Sequence, residues 1–229
     1  METTLWTRYP NLVEAVRQDH INQGATGGAH DFVHAMMVAQ YAAMIAEDER
    51  TGELAWIAAI CHNTDRLFPD EDDEGVSRRV VRYLVNGVPD ITVSNGETMM
   101  EAVLTHHKLN DDADNPVTVT LKDADRLANI GPNLIIRAGQ HYHELPAFDP
   151  QYLVEPDPEA TYRNPKTVLH DILCALEWEP WLRLPKAQGL AKPYFDFLRE
   201  FHRLFSVQME ELELVPYPFP EDLDHAYGK

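Results

Sequence analysis

Cysteine is scarce in this chain of 229 residues, which holds only Cys61 and Cys174. Both fall in apolar helical patterns, which excludes a disulfide framework or a cysteine-built zinc site as an organising feature. Basic residues are few as well: Lys and Arg total 19 against 38 Asp and Glu, a formal net charge of −19. Such a surface repels phosphate backbones and anionic lipid. No nucleic-acid polymer and no membrane surface is therefore expected as a partner, although a local basic pocket can still hold a small phosphate ester. No apolar run reaches bilayer length, since the most apolar stretch, 32–46, is short and contains His34 and Gln40. The segment METTLWTRYPNLVEAVRQDH lacks the basic region and long apolar core of a signal peptide, and the expected location is cytoplasmic. No repeat, low-complexity tract or phosphate-cradling glycine loop is found; Gly24–Gly28 precedes a helix but follows no strand.

What is present reads as helix. Hydrophobic residues make up 44% of the chain, enough for a real core. An amphipathic helix is expected from Pro10 to about Ile21. Ala29 to Arg50 is apolar nearly all round and reads as one central buried helix, broken at Thr51-Gly52. Glu53 to about Asn63 is a second. Further helices are expected over 77–86, 97–107, 119–131, 134–143, 166–178 and 190–214. The acidic run 69–74 reads as a solvated loop that caps the next helix, and it lacks calcium-loop spacing. The proline-dense stretch 145–165 reads as a long loop. The expectation is an all-α helical bundle, with 1–145 as a metal-binding core. Residues 146–229 are expected to pack as a loop and C-terminal helices on that same core, in a single domain.

The chemistry-bearing residues sit on the apolar helices. His30 and His34 share a helix face at i, i+4. His62 ends the second apolar helix. A lone histidine in an apolar helix is commonly a satisfied core residue, but two on adjacent helices each need a partner. In KDADRLAN, Asp125 lies on the apolar face with Leu121, Ala128 and Asn129, and a buried carboxylate without a cation is costly. Arg126 or a histidine could supply that cation. So could a divalent metal shared by His34, His62 and Asp125, a set suited to Mn, Fe, Co, Ni or Zn.

The order His34 … His62-Asn63 … Asp125 resembles the HD-domain metal-dependent phosphohydrolases. The entry helix HDFVHAMMV resembles their HDxxHxxxV segment, and KDADRLANIG is similar to the corresponding helix of alarmone hydrolases. The likeness runs from about His30 to Arg137. It implies an all-α fold, one divalent ion (Mg included) or two in some branches, and hydrolysis of a small phosphate ester, commonly a nucleotide or related metabolite. His34, His62 and Asp125 are the ligands it implies. Where the family has His-Asp, this chain has His62-Asn63, whose neutral amide oxygen is a weaker donor. Asp65, one turn on, is a candidate to ligate the ion or to hold its water, as a general base.

His106 and His107 are candidates for the acid that protonates the leaving oxygen, or for ligands of a second ion. His30, Arg66, Lys108, Lys122, Arg126, Asn129 and Arg137 are candidates for substrate binding, the cations offsetting phosphoryl charge. His141 and His143 read as pocket rim or surface, and His20, His202 and His225 as structural. The literal pair His170-Asp171 is read as a decoy, because no histidine and carboxylate helices bracket it. Trp178, Trp181, Tyr194, Phe195 and Phe197 read as core. A catalytically attenuated binding or regulatory protein and a di-iron oxygenase on the same scaffold remain as alternatives, and a homo-oligomer is left open.

Overall fold

The computed structural model describes residues 4–25, 30–153 and 157–219. Residues 26–28 of the expected glycine turn, Pro156, and the tail from 220 with His225 lie outside the described residues. The expectation of an all-α protein holds: no strand is present among the described residues, and one isolated bridge joins Thr161 to Asn164. No helix of the described residues is long and apolar enough to cross a membrane.

The chain divides into two compact units, Met1–Ala128 with Trp181–Gly189, and Asn129–Pro180 with Leu190–Lys229. The first holds α1 (Leu5–Arg8), α2 (Pro10–Asn22), α3 (Phe32–Ile45), α4 (Glu49–Cys61), α5 (Thr64–Leu67), α6 (Asp73–Gly87), α7 (Val93–Thr105) and α8 (Pro116–Ala128). In the second lie α9 (Pro132–His141), α10 (Val168–Cys174) and most of α11 (Pro185–Glu211), with short 3-10 turns at Pro150–Tyr152 and Ala175–Trp181.

Helix starts follow side-chain capping. Asp31, Asp48, Asp72 and Thr92 each accept from the backbone N–H three residues on, at 2.8, 2.9, 2.9 and 3.3 Å. Each such cap contributes about 1 kcal/mol. Asp48 also explains a difference from the expected helices. The break after α3 falls at 46–48, where Ala46 turns extended and Asp48 caps α4, so Thr51 and Gly52 lie inside α4 rather than between helices. The acidic loop performs as expected, with Asp72 capping α6 and Asp73 and Glu74 in its first turn.

The core of the first unit is built on α3, α4 and α8, which pack on one another, with α7 against α4 and α8. Every residue from Gly52 to Cys61 is buried, so α4 is a central rod. Trp56 at its middle is fully buried. A close approach between α2 and α6 requires Gly87: a Cβ there would stand 2.7 Å from the backbone of Leu12.

The returning segment 181–189 is stitched to the first unit by ionic and polar contacts. Asp123, with no exposed surface, accepts from the backbone N–H of Arg183 and of Leu184, both at 2.8 Å. Arg183 reaches Asp114 at 2.8 Å, and Lys186 donates to the carbonyl of Ala46 at 2.6 Å.

In the second unit, Leu153, Leu169 and Met209 form a core lined by Phe148, Phe201 and Phe205. α9 packs on α10. Of the aromatics expected in the core, Phe195 is buried, whereas Phe197 is exposed and Trp178 and Tyr194 are half-buried. Residues 191, 195 and 198 make the buried stripe of α11, and position 197 falls on the opposite side of that helix.

Gly87→Ala is expected to destabilise the protein by about 2 kcal/mol, because the obstruction is backbone and cannot swing away. Urea denaturation checks this through a lowered midpoint at unchanged slope.

Candidate metal centre

His34 projects from the first turn of α3, His62 caps the C-terminus of α4, and Asp125 lies in the last turn of α8. The packing of those three helices brings the side chains together. His34 Nε2 is 3.2 Å from Asp125 Oδ1, and His62 Nε2 is 3.9 Å from the same oxygen. One ligand atom from each lies within 4.8 Å of the other two. The two imidazoles are 1% exposed and the Asp125 side chain 25%, so the carboxylate faces the accessible side.

The state of His62 shows whether these residues fit an ion. Its Nδ1 is 2.6 Å from the carbonyl of Ala59, one turn back on α4. A carbonyl only accepts, so this contact assigns the proton to Nδ1 and leaves a lone pair on Nε2. That nitrogen is buried without a hydrogen-bond partner. A lone pair turned toward a carboxylate oxygen is repulsive unless a cation stands between them. Metal–ligand bonds of about 2.0–2.2 Å require ligand atoms about 3 Å apart, which small rotations of these side chains reach.

Titration supports the same reading. Burial holds His62 well below the usual imidazole range, helped by the neighbouring His106 and His34. Burial pushes the Asp125 carboxyl up, but the hydrogen bond from His34 and the other imidazoles around it outweigh that and hold the group below the usual carboxylate range. A neutral imidazole beside an ionised carboxylate is the form that binds metal without first losing a proton.

Asn63 is 1% exposed, and both its amide atoms are buried without a hydrogen-bond partner. It stands at the head of α5 without capping it. A buried amide in that condition has an unmet need for a partner, which an ion at the adjacent His62 would meet through the amide oxygen.

Five imidazoles form a continuous row. Ring centroids are 6.0 Å apart for His30 and His34, 5.2 Å for His34 and His62, 5.1 Å for His62 and His106, and 5.5 Å for His106 and His107. His106 is 9% exposed and shares the tautomer of His62, its Nδ1 lying 2.7 Å from the carbonyl of Val103. His30 and His107 are exposed at the two ends. Asp65 lies outside the three-residue group; its Oδ1 is buried without a hydrogen-bond partner, and its Oδ2 is 3.6 Å from Arg66 Nε.

Residues 31–130 match the family model of the HD domain. This stretch is an HD domain. No curated protein matches the chain. Among solved structures, a Lactobacillus plantarum protein is similar at 18% identity and a TM-score of 0.68, covering 90% of this chain and 98% of its own. An HD-superfamily hydrolase of Bacillus thuringiensis is similar at 17% identity and a TM-score of 0.65, with 90% and 99% covered. Bacillus subtilis YpgQ, solved in complex with ADP, is similar at 18% identity and a TM-score of 0.62, with 89% and 96% covered. These likenesses show a shared fold.

The HD domain uses two of the expected phosphate-binding cations for its own architecture. Lys122 is 2% exposed, and its three donors are taken by the Leu109 carbonyl and both oxygens of Asp114, at 2.8–2.9 Å. Arg126 donates to Asp123, to the Trp181 carbonyl and to Asn110. Lys122 has no donor left for a phosphate, and Arg126 spends three of its five on these partners. Sequence reasoning missed their partners Asp114 and Asp123. For Lys122 alone a signal beyond charge was there to use: a lysine on the apolar face of α8 requires an acid, and DDADN lies just upstream.

Arg66 and Lys108 are exposed and lie on the same unit as the donor group. Asn129 and Arg137 belong to the second unit, where Arg137 Nη1 donates to Asn129 Oδ1 at 2.5 Å. His170-Asp171 also falls there, and burial pushes the Asp171 carboxyl up to about 6.

Asp171 keeps its proton in the folded state up to about pH 6 and loses it near pH 4 when unfolded. Its contribution is therefore full below pH 4 and lost as pH rises to 6. In Asp171→Asn, stability relative to the parent is expected to rise by about 3 kcal/mol across that window, measured by urea unfolding at pH 4, 5, 6 and 7.

Proposed function

We propose that the HD domain is a metal-dependent phosphohydrolase acting on a small phosphate ester, a nucleotide or related metabolite. The observation that carries this is the meeting of one ligand atom each from His34, His62 and Asp125 within 4.8 Å of one another. The HD-superfamily hydrolase of similar fold supports the reaction class, and the ADP complex of YpgQ supports a nucleotide as substrate.

His34, His62 and Asp125 would hold one divalent ion, with the Asn63 amide oxygen as a neutral fourth donor. A bound divalent ion supplies Lewis acidity toward a phosphoryl oxygen and makes water acidic enough to ionise near neutral pH. The chain's own groups do the rest. Asp65 Oδ1 accepts from the attacking water and fixes its direction. His106 and His107, the imidazoles next in the row after His62, carry the proton to the leaving alkoxide. Arg66 and Lys108, both exposed, offset the charge of the phosphoryl oxygens. The acidic remainder of the surface repels polymeric nucleic acid, which favours small esters.

A second reading has a specific observation behind it. Asn63 leaves the donor group with a single carboxylate, so an ion there keeps more of its charge and is held less tightly, as in a binding protein with attenuated turnover. Di-iron chemistry lacks support, because among the described residues the donor group numbers three.

Thermal unfolding and a chromogenic phosphate ester test these readings together. Mn²⁺, Co²⁺ or Ni²⁺ at 1 mM, about a thousand times a micromolar Kd, is expected to raise Tm and to support turnover. His62→Ala is expected to abolish the Tm shift and cut kcat/KM by ~100-fold or more. Asn63→Asp is expected to tighten metal binding by about ten-fold by isothermal titration, since ligand charge sets affinity. Metal binding without turnover selects the second reading, and no metal binding in the parent overturns both.

A further inference from the structure

A second, unrelated constellation lies at the other end of α4. Glu53 is 7% exposed and is ringed by three donors: Tyr9 Oη and Arg8 Nη1 reach Oε1, each at 2.6 Å, and Arg50 Nη1 reaches Oε2 at 2.5 Å. Burial and the bond to Glu53 push the Tyr9 hydroxyl up to about 12, so it remains a donor. One carboxylate thus faces two guanidinium groups, leaving a surplus positive charge in a chain whose net charge is −19. Neutralising Glu53 needs only one of those arginines.

Both arginines line a cavity of about 300 Å³. Its floor is apolar and buried, formed by Leu54, Ile57, Val88 and Met99. Arg8 and Arg50 have half-exposed side chains, 54% and 57%, and each guanidinium spends one nitrogen on Glu53. A guanidinium has five N–H donors, so several on each remain to face an incoming anion. Asp90 also lines the cavity and is exposed. Its charge disfavours a dianion such as phosphate and tolerates a single carboxylate.

A greasy floor with a few convergent polar groups is the usual make-up of a small-molecule site, and this volume suits a body of about ten non-hydrogen atoms. Twelve residues of α4 separate Arg50 from His62, about 18 Å of helix, which keeps the cavity apart from the candidate metal centre.

We infer that this cavity binds a small organic monocarboxylate with an apolar body, the carboxylate bridging Arg8 and Arg50 and the body resting on Leu54, Ile57 and Met99.

Phenylacetate is the probe, titrated into the full chain by isothermal calorimetry and by protein-observed NMR at pH 7.5. Saturable one-to-one binding with a Kd of about 1 mM or tighter is expected, with 2-phenylethanol and inorganic phosphate each at least ten-fold weaker. Arg50→Met is expected to weaken phenylacetate at least ten-fold. Because that change also removes a partner of Glu53, Ile91→Trp is the second variant. It narrows the mouth without altering charge and should weaken binding to the same extent. His62→Ala should leave the affinity unchanged, so the result stands apart from the fate of the metal centre. The inference is overturned by absence of saturation up to about 20 mM, by equal affinity for 2-phenylethanol or phosphate, or by affinity that neither cavity variant alters.

Discussion

The contact on which the candidate metal centre depends is the hydrogen bond between His62 Nδ1 and the carbonyl of Ala59. It is a local interaction within one helical turn, yet it decides which ring nitrogen keeps a lone pair and where that lone pair points. Without it the imidazole could rotate and satisfy itself against Asp125 as a simple donor, and the site would be an ordinary buried ion pair. With it, a buried lone pair faces a carboxylate oxygen, an arrangement that is costly until something cationic stands between them. His106 repeats the device on α7, with Val103 as its anchor.

The second constraint is charge. A chain with twice as many acids as bases must place its cations with care, and the structure commits several of them to burial of acids. Asp114 and Asp123 sit in the interior because Lys122, Arg126 and Arg183 meet them. Those contacts hold the segment 181–189 against α8, the helix that carries Asp125. The pairs differ in kind from surface pairs such as Arg78 with Glu74, which contribute little. Removing one member of a buried network strands the other in a medium that cannot solvate it. Architecture and chemistry therefore share α8: its buried acid next to Asp125 anchors the chain, while Asp125 itself stays accessible to a ligand.

Asn63 is the point at which this HD domain parts from the His-Asp pair that defines the resemblance. Its amide is buried and unpartnered, so it has not been reused as a structural hydrogen-bonder, the fate expected of a ligand position that has lost its purpose. Asp65 lies outside the three-residue donor group, with one buried carboxylate oxygen that has no hydrogen-bond partner. The domain keeps the position and the oxygen but gives up the anion.

Much of this was legible in the sequence. The all-α class, the acidic run that caps α6, and the pairing of His34 and His62 with Asp125 follow from apolar periodicity, charge patterning and the expense of burying polar side chains alone. These are local signals, or composition signals, and they need no neighbours to be read. The break at Ala46 was misplaced because the glycine at position 52 looks like a helix end, whereas the capping power of Asp48 sets the boundary. The roles of Lys122 and Arg126 were not legible from charge alone, since any cation near a suspected phosphate site invites a functional reading. Only the folded chain shows that acids from a loop and from the same helix claim them first. Likewise, nothing in the spacing of Arg8, Arg50 and Glu53 suggests that they meet. Sequence alone determined which side chains could do chemistry; packing of distant helices decided which of them had donors and lone pairs left to do it with.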